Sequence, residues 1–424
     1  LNKPSGRLEV RGEVYMKRSD FNRLNKELKK RQEAELANPR NGAAGGLRQL
    51  DAKIAAKRRL SFMPWQVVGD LGLELQSQED DFLNLIGFPV NEHNRLCRDL
   101  KEAEKTLEHM GKVRDKLDYQ IDGMVLSVND NRLLQRLGVV GKTPRGSVAW
   151  KFQAEQGTTV VREIKVSVGR TGVLTPVAVM DPVQLAGTTV THATLHNEDE
   201  IRRLGLKIGD TVIVEKAGDV IPKIVQVLPG LRTGKEKSFH MPGTCPICGS
   251  EVKRKTGEVA VVCTNARCFA QELARLRHFV SKQALDIRGL GEKIVEIFIQ
   301  EGLVSEPADL FRLAPGDLGG LEGFGEVSSN KLVKEIQAHR QVSLERFIYA
   351  LGIRHVGFET AVLLARRFKS LDNIRRATPE QLAEIDGIGQ VMAQSIVEYF
   401  QDKEETKRLD NLLTSVDVER ATSD

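Results

Sequence analysis

Thr244-Cys245-Pro246-Ile247-Cys248, followed after fourteen residues by Cys263-Thr264-Asn265-Ala266-Arg267-Cys268, organises the reading of this 424-residue chain. The spacing Cys-x2-Cys and Cys-x4-Cys offers four thiolates in two knuckle-like pairs, the donor set of a tetrahedral zinc ion. Four sulfurs leave no open coordination position, so Cys245, Cys248, Cys263 and Cys268 predict a structural Zn²⁺ site rather than a catalytic one. Zinc binding contributes on the order of 10 kcal/mol to folding a segment too short for its own core. His240 and His278 flank the cluster, which four cysteines already satisfy. The fifth cysteine, Cys97, stands alone and reads as packing. This usage does not fit a secreted disulfide framework and points to a reducing compartment.

Upstream of the cysteines, residues 160–228 read as short strands: Val161–Val168, Val173–Val179, Thr211–Lys216 and Ile221–Val227. Gly-Arg-Thr-Gly and Ala-Gly-Asp turns punctuate them, the pattern of a small barrel. The polar stretch Pro229–Lys237 reads as a linker. Downstream, from Gln271, the pattern is helical and carries a repeat. Gly289-Leu-Gly291, Gly323-Phe-Gly325, the looser Arg354-His-Val-Gly357 and Gly387-Ile-Gly389 place their last glycines 34, 32 and 32 residues apart. Each opens a helical segment, and a fixed period near 33 marks one supersecondary unit stacked several times. A Gly-apolar-Gly turn at a helix start leaves backbone N–H groups free at the positive end of the helix dipole, a seat for a phosphate. One such turn is also an ordinary helix connection; four in register resemble helix-hairpin-helix repeats that grip DNA without reading its sequence.

Composition sets the frame. Hydrophobic residues at 40% and charged residues at 29% describe a folded globular chain of about three domains. The net charge of +5 permits a nucleic-acid partner, and residues 1–60 concentrate it, with sixteen Lys and Arg against seven Asp and Glu. No apolar run approaches the ~20 residues of a membrane span, so no membrane partner is expected. The chain starts at Leu1 on a strand-like alternation, and its natural start is expected upstream.

The first part mixes strand and helix. Leu8 to Val14 alternates with period two and Phe21 to Leu36 is helical. Glu13 shares a parity with Arg11 and Glu9, Asp122-Gly123 opens an alternating strand, and Lys151 opposes Trp150 and Phe152. By periodicity these are ordinary half-buried strands, and Asp-Gly is first of all a hairpin turn.

Longer runs carry more. Leu8-Glu-Val-Arg-Gly-Glu-Val, Ala37-Asn-Pro-Arg-Asn-Gly-Ala-Ala-Gly-Gly-Leu-Arg-Gln49, Ile121-Asp-Gly-Met-Val125 and Val148-Ala-Trp-Lys-Phe152 resemble successive nucleotidyltransferase motifs of bacterial NAD-dependent DNA ligases. Val168-Gly-Arg-Thr-Gly-Val-Leu-Thr-Pro176, Ala193-Thr-Leu-His-Asn197 and Lys216-Ala-Gly-Asp-Val-Ile-Pro222 resemble the OB-fold of that family. The zinc site and hairpin array follow in the family's order.

The resemblance implies a multidomain α+β chain. Its parts are the C-terminal part of an adenylation (nucleotidyltransferase) domain at 1–155, an OB-fold barrel at 156–231, a four-cysteine zinc finger at 240–272, a helix-hairpin-helix domain at 273–412 and a linker at 413–424. The implied activity seals nicks in duplex DNA. AMP passes from NAD to a lysine, then to the 5′-phosphate, and the 3′-hydroxyl closes the bond, with Mg²⁺ or Mn²⁺ serving the phosphoryl transfers in replication and repair. Glu13 resembles the acidic residue near the adenylate ribose and its metal, and Asp122 the carboxylate near the catalytic metal. Lys151 resembles the lysine on the α-phosphate. Arg40 and Arg48 resemble nucleotide- or DNA-contacting arginines, and Trp65 the ring against adenine. Gly289, Gly291, Gly323, Gly325, Gly357, Gly387 and Gly389 would hold DNA. A monomer in the bacterial cytoplasm, associated with the nucleoid, is implied.

Two departures stand out. Ser127 occupies a nucleotide-site position where the family has lysine. The nucleophilic Lys-x-Asp-Gly is absent, and Lys116-Leu-Asp-Tyr119 imitates it with tyrosine for glycine. Family order puts that lysine before Leu1, together with a domain for the nicotinamide half of NAD, and a BRCT domain after the end. The alternative reading is a non-catalytic DNA-binding or clamp protein built from the same parts.

Overall fold

The alternation after Leu8 becomes β1 (Glu9–Tyr15) in the computed structural model, which describes residues 7–69, 71–140, 143–185, 187–217, 221–254 and 259–421. Glu9, Arg11 and Glu13 point outward from it, as their parity predicts. The next segment forms α1 (Arg18–Lys30), which ends before Leu36 because Gln32 turns left-handed at φ 56. In α2 (Pro39–Leu47), the Asn38 side chain accepts the Asn41 N–H at 2.8 Å and proline occupies the first turn, so the Asn-Pro-Arg-Asn run is a helix start. Small residues then bring α2 close: a Cβ on Gly42 would sit 3.0 Å from the Met16 sulfur. β2 (Ser61–Val68) pairs antiparallel with β1, and Trp65 is the extra residue where the register slips between Arg11 and Gly12. The ribbon is tight there, since a Cβ on Gly12 would lie 2.4 Å from the Met63 carbonyl oxygen. Further on, α3 (Leu100–Val113) packs on β3 (Gly123–Ser127), the antiparallel partner of β4 (Ser147–Lys151).

Five strands close into a barrel: β5 (Gln156–Val168), β6 (Leu174–Leu185), β7 (Thr188–Thr194), β8 (Thr211–Ala217) and β9 (Ile221–Val227), in the order β8-β9-β7-β6-β5. Val161, Ala178, Val190, Val212, Val214 and Ile224 alternate into its buried interior. The sequence predicts only four of these strands. β7 escaped because Thr-Thr-Val-Thr-His-Ala-Thr carries its strand signal in β-branched threonines rather than in apolar alternation. Gly218, Asp219 and Val220 of the last barrel motif lie outside the described residues. The expected linker at Pro229–Lys237 is instead tied down. Arg232 donates to both oxygens of the buried Asp210 carboxylate at 2.7 and 2.8 Å, and Glu236 accepts the Thr233 and Gly234 N–H groups.

Contacts divide the chain into two compact units. One comprises Leu1–Glu163, Ala178–Thr194 and Leu204–Lys237; the other comprises Ile164–Val177, Leu195–Arg203 and Ser238–Asp424. In the second, the antiparallel pair β10 (Val252–Arg254) and β11 (Val261–Cys263) carries Cys263, and Cys268 is the N-cap of α4 (Phe269–Phe279), which leads into the helices. The four glycine turns recur in register. Gly291, Gly325, Gly357 and Gly389 are the N-caps of α5 (Glu292–Gln300), α6 (Glu326–Ala338), α8 (Phe358–Phe368) and α9 (Gln390–Gln401), with α7 (Leu344–Leu351) between the middle two. The preceding turn position is left-handed in all four, at φ 91, 83 and 95 for Gly289, Gly323 and Gly387 and at φ 66 for His355. The looser third motif therefore keeps the turn although histidine replaces glycine.

The register also aligns the fourth residue after each N-cap glycine: Val295, Ser329, Ala361 and Ala393, all at most 2% exposed. Ser329 is the odd one, and its Oγ is buried without a hydrogen-bond partner. An unpaired buried hydroxyl costs ~1–3 kcal/mol, so Ser329→Ala should raise the thermal midpoint of unfolding by several degrees. An unchanged or lower midpoint would contradict this.

The tail differs from the expected linker as well. α10 (Lys403–Leu413) buries Leu409 and Leu412, and β13 (Asp417–Glu419) pairs in parallel with β12 (Gln341–Ser343), with Val416 3% exposed. Apolar residues at helical and strand spacing inside a polar composition anchor the segment through residue 421.

Candidate functional site

Gly123 brings two candidate residues together. It pairs with Lys151 across the β3–β4 ribbon, and a Cβ on it would lie 2.6 Å from the Trp150 carbonyl oxygen and 2.7 Å from the Lys151 Cα. Only glycine allows this approach. Asp122 thereby lies beside Lys151: its backbone oxygen accepts the Phe152 N–H at 2.9 Å, and its Oδ2 accepts from Lys151 Nζ at 2.8 Å. Asp-Gly is thus a strand start with a partner 29 residues away, not the hairpin turn that periodicity alone suggests. The pair is about half exposed, at 50% for Lys151 and 44% for Asp122. An ion pair this wet adds about 0–1 kcal/mol to stability, so either charge can be given to a ligand at little cost to the fold.

The same face continues through exposed Val125 opposite Ala149 to Ser127, whose hydroxyl meets that of Ser147 at 2.8 Å. The ribbon thus presents a charged pair at one end, a small apolar platform, and a neutral hydroxyl pair at the other. Arg114 adds a cation that sequence reasoning missed, its guanidinium lying over the Phe152 ring at 5.3 Å. No local pattern marks it, because its neighbour Phe152 is far along the chain.

The other candidates sit on the first ribbon and α2. Glu13 is exposed on β1 opposite Met63, and Trp65 is 55% exposed at the bulge of β2. Arg40 is exposed in the first turn of α2 and Arg48 is exposed at its C-cap. Among the described residues none of these four hydrogen-bonds or ion-pairs with Asp122 or Lys151.

The cysteines converge. Their four sulfurs all lie within 4.8 Å of one another, with Cys245–Cys268 at 3.9 Å and Cys248–Cys263 at 3.6 Å. A disulfide needs about 2.05 Å, whereas sulfurs placed tetrahedrally at ~2.3 Å from one ion stand roughly 3.8 Å apart. The set therefore fits zinc and not a cystine. Hydrogen bonds with Ser250 draw the Cys248 thiol down to about 6, while burial pushes Cys263 up to about 12 and raises Cys268. Four thiolates crowd so small a buried space only around a shared cation.

The hairpin helices α5, α8 and α9 start without a side-chain cap, so their first N–H groups are open to an anion, whereas at α6 the Ser328 hydroxyl accepts the Gly325 N–H at 2.8 Å. Glu292, Glu326 and Glu359 place a carboxylate in the first turn of the first three, and Arg277 pairs with Glu292 at 2.6 Å. The fourth helix carries no acid there. Arg288 and Arg354 precede the first and third turns, and Glu322 and Asp386 precede the second and fourth, so flanking charge favours the first and third as phosphate seats.

Comparison with known proteins converges on one family. The NAD-dependent DNA ligase adenylation domain matches residues 1–155, the NAD-dependent DNA ligase OB-fold domain 158–236, and the NAD-dependent DNA ligase C4 zinc finger domain 244–270. A helix-hairpin-helix motif matches residues 346–409, spanning the third and fourth turns. The DNA ligase of Bacillus licheniformis is 46% identical over 407 residues, covering 96% of this chain and 61% of the relative. That of Halothermothrix orenii is 46% identical over 398 residues (93% and 59%), and that of Bacillus subtilis 44% over 407 (96% and 61%). The chain spans about three-fifths of the length of these relatives.

Proposed function

The chain belongs to the NAD-dependent DNA ligase family, carrying its adenylation, OB-fold and C4 zinc-finger domains, and we propose that it holds the nucleotide face and the duplex-gripping parts of a nick-sealing enzyme. The observation that carries the reading is the Asp122–Lys151 pair at 2.8 Å on a glycine-tightened ribbon. Phosphoryl transfer proceeds largely by positioning and charge stabilisation, which a lysine and a carboxylate released from each other supply. Lys151 turns to the α-phosphate of the adenylate, and Arg114 adds to the positive field. Asp122 and Glu13 offer hard oxygen ligands suited to Mg²⁺ or Mn²⁺. Such an ion, when bound, neutralises charge developing on the phosphate. The exposed Trp65 ring stacks on adenine, and Arg40 and Arg48 hold the nucleotide or the DNA backbone. The enzyme acts as a monomer on nicked duplex, using NAD and releasing AMP and the nicotinamide mononucleotide. No helix among the described residues is long and apolar enough to cross a membrane.

DNA binding gives the direct test. Four backbone seats and the nearby Lys and Arg that neutralise roughly six phosphates should make log K fall with log salt at a slope near −5. Affinity should be nearly the same for unrelated duplex sequences. A flat salt response or a strong preference for one sequence would sink the reading.

The hydroxyl pair favours the rival reading of a non-catalytic clamp, because neither Ser127 nor Ser147 can neutralise a phosphate. The two readings separate when the chain is joined to the Lys-x-Asp-Gly-bearing N-terminal segment of a bacterial relative. For an enzyme, Ser127→Lys should speed adenylation or sealing by about tenfold or more, since a cation at a developing phosphate charge is worth ~1–3 kcal/mol. A joined protein that neither adenylates nor seals, with or without the lysine, supports the clamp.

A further inference from the structure

The barrel turn Gly169–Val173 does not end in solvent; within the second unit it is built into the cysteine knuckle. The Cys263 N–H donates to the Gly172 carbonyl at 2.9 Å, and Val173 bridges Val262, so the turn extends the β10–β11 hairpin. Gly172 is left-handed at φ 77, and a Cβ there would stand 2.9 Å from the Cys263 carbonyl oxygen and 3.0 Å from Gln271 Nε2. Gln271, only 6% exposed, closes the joint. Its Nε2 donates to the Asn265 carbonyl at 2.9 Å and the Cys263 carbonyl at 3.4 Å, and its own N–H donates to the Cys268 carbonyl at 2.8 Å. Gln271 therefore ties together the backbones of two of the four sulfur-bearing residues, at the point where the turn docks. At the other side of the turn, Arg170 lies against Gly352, the left-handed C-cap of α7, whose Cβ would be 3.1 Å from Arg170 Nη1. That places a cation at the negative end of a helix.

We propose that the zinc knuckle is a positioning device for the Gly169–Val173 turn, with Gln271 as its positioning residue. Zinc holds the sulfurs of Cys263 and Cys268, Gln271 holds their backbones in one arrangement, and Cys263 passes that arrangement to the turn through a single N–H. Metal loading thus sets where Arg170 and Thr171 point. The consequence for DNA rests on the duplex-binding reading above: a loosened turn lowers affinity without the loss of any residue that touches DNA.

Amide hydrogen exchange on the whole chain, with zinc content measured on the same samples, tests this directly. Gln271→Glu keeps the shape but replaces the donor with an acceptor facing two carbonyls. With zinc retained, the amides of residues 170–173 should exchange about tenfold faster, and a chelator should have the same effect on the unaltered chain. If Gln271→Glu sheds its zinc, Gly172→Ala serves instead, because it wedges the joint while leaving every cysteine and Gln271 in place. Unchanged exchange at 170–173 in the zinc-retaining variant, or in the chelated chain, overturns the proposal. Faster exchange with unchanged DNA affinity keeps the positioning role and overturns only its link to duplex binding.

Discussion

Incubated with NAD and Mg²⁺, the 424-residue chain is expected to keep its mass. Covalent AMP transfer needs a lysine nucleophile followed by its own aspartate and glycine, and Lys116-Leu117-Asp118-Tyr119 offers only an imitation. The structure accounts for those residues otherwise. Lys116 ends an exposed 3-10 turn, Arg114–Lys116. Asp118 accepts the Ser19 N–H at 2.9 Å and the Ser19 hydroxyl at 2.6 Å, which holds its carboxyl below the usual range and anchors the start of α1. Tyr119 packs edge-on against Tyr15 at 5.5 Å. The segment is a joint between α1 and the strands, not a nucleophile loop. Loss of a nucleophile costs on the order of 10⁶ in rate, so no slow background reaction should be visible. Intact-mass measurement decides the matter. A gain of roughly 329 Da, the covalent AMP expected of an adenylated lysine, would refute the assignment if Lys116→Ala abolishes it. Activity that appears when a relative's Lys-x-Asp-Gly segment is joined upstream is the expected complement.

What could be read without coordinates was whatever depends on spacing. The cysteine pairs, the hairpin period and the strand parities of Glu13 and Ser127 are properties of neighbours along the chain, and the structure places them accordingly. The third hairpin was legible even with His355 at the left-handed position, because Gly357 kept the period. What failed depends on distant partners. The 229–237 segment looks like a linker until buried Asp210 is seen to claim Arg232. Residues 413–421 look like a tail until a strand at Gln341–Ser343 pairs with them. Arg114 over Phe152, and Gln271 between the knuckle and the barrel turn, carry no local signature at all. The bulge that exposes Trp65 arises from a register slip between two strands some fifty residues apart, which no single-strand pattern encodes.

The knuckle gives the largest stability effect. Its buried apolar cluster is little more than the sulfurs themselves: Leu174 with Cys245, Cys263 and Cys268, edged by half-buried groups such as Val252 and Val261. Its secondary structure is two strands of three residues each. A hairpin that short with so small a core is not stable alone in water. The metal must therefore supply the missing energy, on the order of 10 kcal/mol for a four-thiolate zinc site. Purified protein should contain about one zinc per chain, the stoichiometry of a single tetrahedral site. Chelation should unfold residues 240–272, seen as lost exchange protection and reactive thiols, while the helical core around Phe279, Phe298, Phe311 and Phe347 keeps its own. DNA affinity should fall with the knuckle, because Cys268 is the N-cap of α4, which leads into the hairpin helices. Cys263→Ser carries the sharpest version of the test: it removes one sulfur from a pair 3.6 Å apart and should cost both zinc and DNA affinity. A Cys263→Ser protein with full zinc content and undiminished binding would mean that the four sulfurs do not share an ion, however well their distances fit one.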